Sequence, residues 1–144
     1  MIWSRSRSVG ALVSRMKDGD PLRVIDAARQ FGQLVADATQ RLPRRAPSGL
    51  RRQLNESAQA VSALLSEGFG RLTNGEKVHY SRMARGSVEE SQDHLRKCIN
   101  LKLIDRKTFY RLWNLSVVIS RMLLSLIEYY EGADEECSAD AKPS

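Results

Sequence analysis

Glu76-Lys77-Val78-His79 is the first grouping along the chain with the residue types and spacing of a reactive site. A glutamate and a histidine three residues apart share one helical face, the arrangement that di-iron centres use in helical bundles. Such a centre also needs a second Glu-x-x-His and two further inward glutamates. The only other histidine, His94, follows Glu90 by four residues and sits beside Asp93, so the ligand set is incomplete and no metal is expected. Glu76 has a simpler reading as the closing residue of a capping box opened by Thr73.

Other candidates for chemistry fall away on spacing. Gly70 to Lys77 has the glycines and lysine of a phosphate loop, but Glu76 stands where that motif requires the lysine directly after Gly75. Cys98 lies at helical spacing from Leu95 and Leu101, which suits packing, and Cys137 lies in an acidic terminal segment. No nucleophile, base and orienting group assemble, so a non-enzyme without a cofactor is expected. Two cysteines are too few for a disulfide framework or a four-cysteine zinc site, which fits a reducing cytoplasm. Arg5, Arg7, Arg15 and Lys17 spread through the first residues and leave no apolar core for a secretory signal.

What remains is a set of arginines. Arg44, Arg45, Arg51 and Arg52 surround the start of the second helical segment, and Arg71, Arg82 and Arg85 follow around the next turn. Planar guanidinium groups suit bidentate phosphate contact, and a helix N-terminus beside Arg51 and Arg52 adds partial positive charge. These seven are the candidate nucleic-acid-binding residues. Their alternative role is as solvated charges or partners in ion pairs within the chain. The net charge is +6 and the pI about 9.7, which favours a polyanionic partner such as RNA or DNA. Residues 1–52 carry 11 basic and 4 acidic side chains, whereas residues 128–144 carry 1 and 6. The acidic end reads as a solvated extension, or as a screen for the basic surface.

The elements that must position these residues are helices. Hydrophobic residues make up 42% and charged ones 28%, enough apolar mass for a core in one domain of 144 residues. Asp20-Pro21 opens a first helix, which the apolar series Ile25, Ala28, Phe31, Val35, Ala38 and Leu42 carries to Leu42-Pro43. After a proline-bracketed linker, Leu50, Leu54, Ala58, Val61, Leu65 and Phe69 mark a second helix ended by Gly68 and Gly70. Thr73 and Glu76 start a third that reaches about Leu101, and Asp105 caps a fourth. The spacing predicts an all-α, up-down-up-down, antiparallel four-helix bundle over 20–131, with a basic arm at 1–19 and an acidic disordered tail at 132–144.

The fourth helix carries more apolar surface than one stripe requires. Trp113, Val117 and Leu124 belong to the surplus and are the candidate oligomer interface. A membrane span is disfavoured because Asn114, Arg121 and Glu128 interrupt the apolar run.

Two stretches carry a family resemblance. Leu50-Arg51-Arg52-Gln53-Leu54 through Ser66-Glu67-Gly68-Phe69-Gly70-Arg71, followed by Ala84-Arg85-Gly86-Ser87-Val88-Glu89-Glu90, resembles the four helix bundle protein family. That family includes proteins encoded in intervening sequences of 23S ribosomal RNA genes and the accessory variability proteins of diversity-generating retroelements. The resemblance covers about residues 20–131 and implies a ring-like homopentamer of four-helix bundles without catalytic residues. The retroelement branch is similar in being strongly basic, in binding nucleic acid and in associating with a reverse transcriptase. It makes an accessory protein for such a polymerase the leading expectation and a structural or protein-interaction bundle the alternative. Asn55-Glu56 stands where the family often has an arginine pair, and Leu64 where it often has asparagine, so the positive face is displaced toward Arg51 and Arg52. Within the two motifs, Gly68 and Gly70 suit helix-ending positive φ, and Gly86 suits close approach of the second and third helices.

Overall fold

The computed structural model describes the backbone of residues 20–140 and the side chains of residues 20–133. Four helices and no strand occur among the described residues: α1 (Pro21–Gln40), α2 (Leu50–Phe69), α3 (Asn74–Asn100) and α4 (Arg106–Asp140). The N-terminal arm, residues 1–19, lies outside them.

Local chemistry accounts for each boundary. Asp20 Oδ1 accepts the Leu22 backbone N–H at 3.0 Å, with Pro21 at the first helical position, where its missing N–H costs nothing. The helix stops at Gln40, just short of the expected Leu42-Pro43, because the residue preceding a proline is pushed out of the α region. Leu42 nevertheless stays buried below the turn. Gly49 has φ 84, a left-handed conformation that glycine adopts without strain, and leads into α2. Thr73 and Glu76 form the reciprocal capping box at the start of α3. Asp105 Oδ1 accepts the Thr108 N–H at 3.0 Å at the start of α4. The hydrogen bonds from the Thr108 side chain and backbone hold the Asp105 carboxyl below its usual range.

Each helix packs on its neighbours in sequence, and α4 also packs on α1. Phe31 from α1, Leu54 from α2, Leu95 from α3 and Ile119, Met122 and Leu123 from α4 are essentially without solvent contact. Each such side chain contributes about 1.5–3 kcal/mol by leaving water. Two serine contacts fix the register of α3 against its neighbours: Ser91 Oγ lies 2.9 Å from Ser57 Oγ on α2, and Gln92 Nε2 lies 2.9 Å from Ser116 Oγ on α4. Such satisfied polar pairs, one buried and one partly buried, define one alignment of sliding helices.

By length and hydropathy Arg106–Ala133 would be sufficient to cross a bilayer. Much of its apolar surface instead faces the other helices, with Leu112, Leu115, Ile119, Met122, Leu126, Ile127 and Tyr130 buried. The backbone of α4 runs 35 residues and stays helical past residue 131. Phe69 departs from its place in the apolar series: it is 45% exposed. Successive helical residues point about 100° apart, and Gly68 takes the inward position at this turn.

Candidate functional site

The two connections α1–α2 and α3–α4 meet at one end of the molecule, and arginine holds them there. Arg45 crosses between them, donating from Nη1 to the Leu101 carbonyl at 3.1 Å and from Nη2 to the Lys102 carbonyl at 2.8 Å. Arg51 donates to the carbonyls of Thr39 and Leu42, closing the C-terminal end of α1. Last-turn carbonyls lack intrahelical donors, and a guanidinium supplies several at once. Lys102 completes the α3–α4 turn in a left-handed conformation, φ 56.

The remaining candidates are also engaged within the chain, Arg44 excepted. Arg52 pairs with Glu56 at 3.0 Å one helical turn away, and Arg82 of α3 pairs with Glu131 of α4 at 2.5 Å. Arg85 Nη2 stands 3.9 Å from Glu89, while its Nε is buried without a hydrogen-bond partner. Arg71 donates to Glu67 at 2.8 Å and to the Tyr80 hydroxyl at 2.6 Å, and its guanidinium lies 4.9 Å from the Tyr80 ring centre. Tyr80 in turn donates to Glu67 at 3.0 Å. The Glu67 hydrogen bond, helped by the Tyr80 interaction, pushes the Arg71 pKa up. The seven therefore do not form one surface. Arg44, Arg45, Arg51 and Arg52 gather at one end, Arg71 stitches α2 to α3 near the other, and Arg82 and Arg85 line the α3–α4 seam.

Sequence reasoning missed the cations that join the first group. Arg41 and Arg111 line a groove of about 330 Å³ with Leu34, Ile104 and Asp105, where the end of α1 meets the start of α4. Neither forms an ion pair or a side-chain hydrogen bond with a described residue, and the same holds for Arg44. The signal was available in the element order, since α1 ends and α4 begins beside the two connections.

The motif glycines behave differently from their expected roles. Gly68 is helical and buried, and a Cβ placed there would stand 2.6 Å from Tyr80 Cβ, so this glycine is what lets α2 and α3 approach. Gly70 has φ −81 and needs no left-handed conformation. Gly86, expected to provide that approach, has nothing within 4 Å of a built Cβ among the described residues.

Three residues of the α4 surplus are only partly covered by the chain. Trp113 stacks on Phe109 at 5.5 Å and carries the Arg96 guanidinium 4.7 Å above its ring. Val117 is half-buried, and Leu124 is 38% exposed. Glu76 serves the capping box, and His79 is exposed with its ring edge-on to Tyr80. His94 is buried with Glu90 Oε1 3.6 Å from its Nε2, too long for a hydrogen bond. Among the described residues no three of His, Cys, Asp and Glu converge as metal ligands.

The sequence profile of 23S rRNA-intervening sequence proteins matches residues 20–125, which includes both glycine motifs and most of the four-helix unit. The chain belongs to this family. A solved structure of a protein of unknown function, from the S23 ribosomal protein family of Bacteroides thetaiotaomicron, superposes with a TM-score of 0.69 at 19% identity. The match covers 73% of this chain and 98% of that one, so the two share the fold. No curated protein matches the chain. Within the family pattern, Glu67, Gly68 and Arg71 now have a structural account: together with Tyr80 they clasp the α2–α3 turn.

Proposed function

We propose that this family member is a non-catalytic bundle of the intervening-sequence type that acts through contacts with other proteins. The observation that carries this reading is the fate of the candidate arginines. Six of the seven hold a carbonyl or a carboxylate of their own chain. A guanidinium engaged in this way has fewer N–H donors left for a phosphate, and one paired with a carboxylate has its charge already opposed. The meeting of the two connections at one end supports an up-down-up-down order of helices, and the partly covered Trp113, Val117 and Leu124 support a homo-oligomer, for which the family resemblance implies a five-membered ring.

A second reading, a nucleic-acid-binding accessory to a reverse transcriptase, is favoured by one feature. The basic end retains its charge, because Arg45 and Arg51 bond neutral carbonyls and Arg41, Arg44 and Arg111 have no carboxylate partner among the described residues.

Binding of the purified protein to labelled single-stranded RNA and duplex DNA across a salt series separates the two. Protein contact predicts weak binding at about 50 mM salt. Tight binding that falls by orders of magnitude between about 50 and 200 mM would overturn it in favour of the nucleic-acid reading.

A further inference from the structure

The groove of about 330 Å³ between the end of α1 and the start of α4 combines apolar walls with two free cations. Leu34 and Ile104 are half-buried there, beside the buried Leu103 and Leu112. Arg41 is exposed and Arg111 half-buried, and neither has a carboxylate partner among the described residues. Asp105 lines the same groove but is already engaged, because its carboxyl accepts the Thr108 N–H and stands in the field of Lys107. Asp37 is the other acid, exposed and without an ion pair to any described residue. Two guanidinium groups with donors to spare thus flank a partly covered apolar surface.

We propose that this groove docks an acidic segment of a partner protein, one that seats a large apolar side chain between carboxylates. Charge complementarity selects that occupant. Arg41 and Arg111 each offer planar, paired donors that match a carboxylate, and the Arg44, Arg45 and Arg51 cluster keeps the surrounding end positive. Arg111, already half-buried, has less side-chain freedom to lose on binding than a fully solvated arginine. The volume lies at the low end of the range of about 300–1,000 Å³ for pockets that enclose a ligand, which suits an anchoring side chain and its neighbours rather than a whole helix. Leu34 and Ile104 supply the apolar contact for that anchor. Asp37 disfavours a nucleic acid in this place, since a phosphate backbone meets its charge with repulsion, whereas a peptide meets it with a backbone N–H.

The proposal rests on the protein-contact reading above and names the chemistry of the partner. Its test is fluorescence anisotropy of the full chain with a labelled peptide that holds one phenylalanine flanked by glutamate and aspartate. The wild type is expected to bind it, and Arg41→Gln with Arg111→Gln to weaken binding by about tenfold or more. Neither side chain holds a described partner, so that variant keeps its fold, which circular dichroism checks. Arg44→Gln, outside the groove lining, should change affinity far less. A peptide with amides in place of its carboxylates, or serine in place of phenylalanine, should bind at least several-fold more weakly. Absence of binding at about 1 mM peptide overturns the proposal. So does equal loss in Arg44→Gln and the groove variant, which would show general attraction to the basic end. Either result alongside weak RNA binding leaves the protein-contact reading standing. Tight, salt-sensitive RNA binding that the groove variant retains would sink that reading while leaving the peptide result to decide the groove.

Discussion

The α2–α3 and α3–α4 seams share one helix and each carries a motif glycine, yet they are built on opposite terms. At the first, Gly68 is filled from outside: Tyr80 occupies the space of its side chain, and Glu67 and Arg71 lock the tyrosine hydroxyl. At the second, Gly86 faces a groove bridged by the exposed Arg82–Glu131 pair. A close approach completed within the chain makes a glycine a packing residue. A space that no described residue fills leaves the same residue type costing helix stability without a packing gain.

Substitution of the two glycines breaks the comparison most sharply. Gly68→Leu should lower stability by about 3 kcal/mol, because the new side chain meets Tyr80 and must push the helices apart. Urea unfolding checks it, and an unchanged midpoint would mean that the seam is looser than 2.6 Å allows.

The shared helix offers the next effect through Cys98, which is fully buried and whose thiol is pushed up to about 11 by desolvation, against an ordinary 9.0. The unfolded chain deprotonates first as pH rises, so the stabilisation present below about pH 9 is lost between about pH 9 and 11. A tenfold change in an ionisation constant is worth about 1.4 kcal/mol, so the loss amounts to roughly 2 to 3 kcal/mol. Cys98→Ala should flatten that part of a pH-stability profile, and a profile unchanged by the substitution would argue that the thiol is not desolvated.

Glu67→Gln should lower the melting temperature less than Gly68→Leu does, because it weakens the exposed Arg71 clasp without moving a helix. An effect that vanishes in high salt would show that the clasp works by charge, whereas a persistent one would assign it to the tyrosine hydrogen bond.

Gly86→Ala is the smallest change and has the opposite sign, a gain of about 0.5–1 kcal/mol. A loss would show that the groove is occupied within the chain itself. Because the two glycines are predicted to move in opposite directions, one unfolding series on both variants tests the whole contrast.

Phe69 shows where reading along the chain fails. Its spacing placed it with Leu65 on the apolar face of α2, but one further step of about 100° past Gly68 turns it outward, 45% exposed. The glycine, silent in an apolar count, held the inward position. The arginines teach a related lesson. Type and clustering marked Arg45 and Arg51 as phosphate ligands, and the carbonyls they hold belong to residues up to 57 positions away, invisible to any local pattern.

The sequence by itself determined the four helices and their starts, since Asp20-Pro21, Thr73 with Glu76, and Asp105 act on backbone groups two or three residues away. It also determined which faces are apolar, because helical periodicity is a property of spacing alone. Tertiary structure alone decided which glycine lets two helices touch, which arginines cap distant carbonyls, and which part of α4 the other helices leave uncovered. Those outcomes depend on the distance between elements far apart in the chain, and that distance is set only when the helices pack.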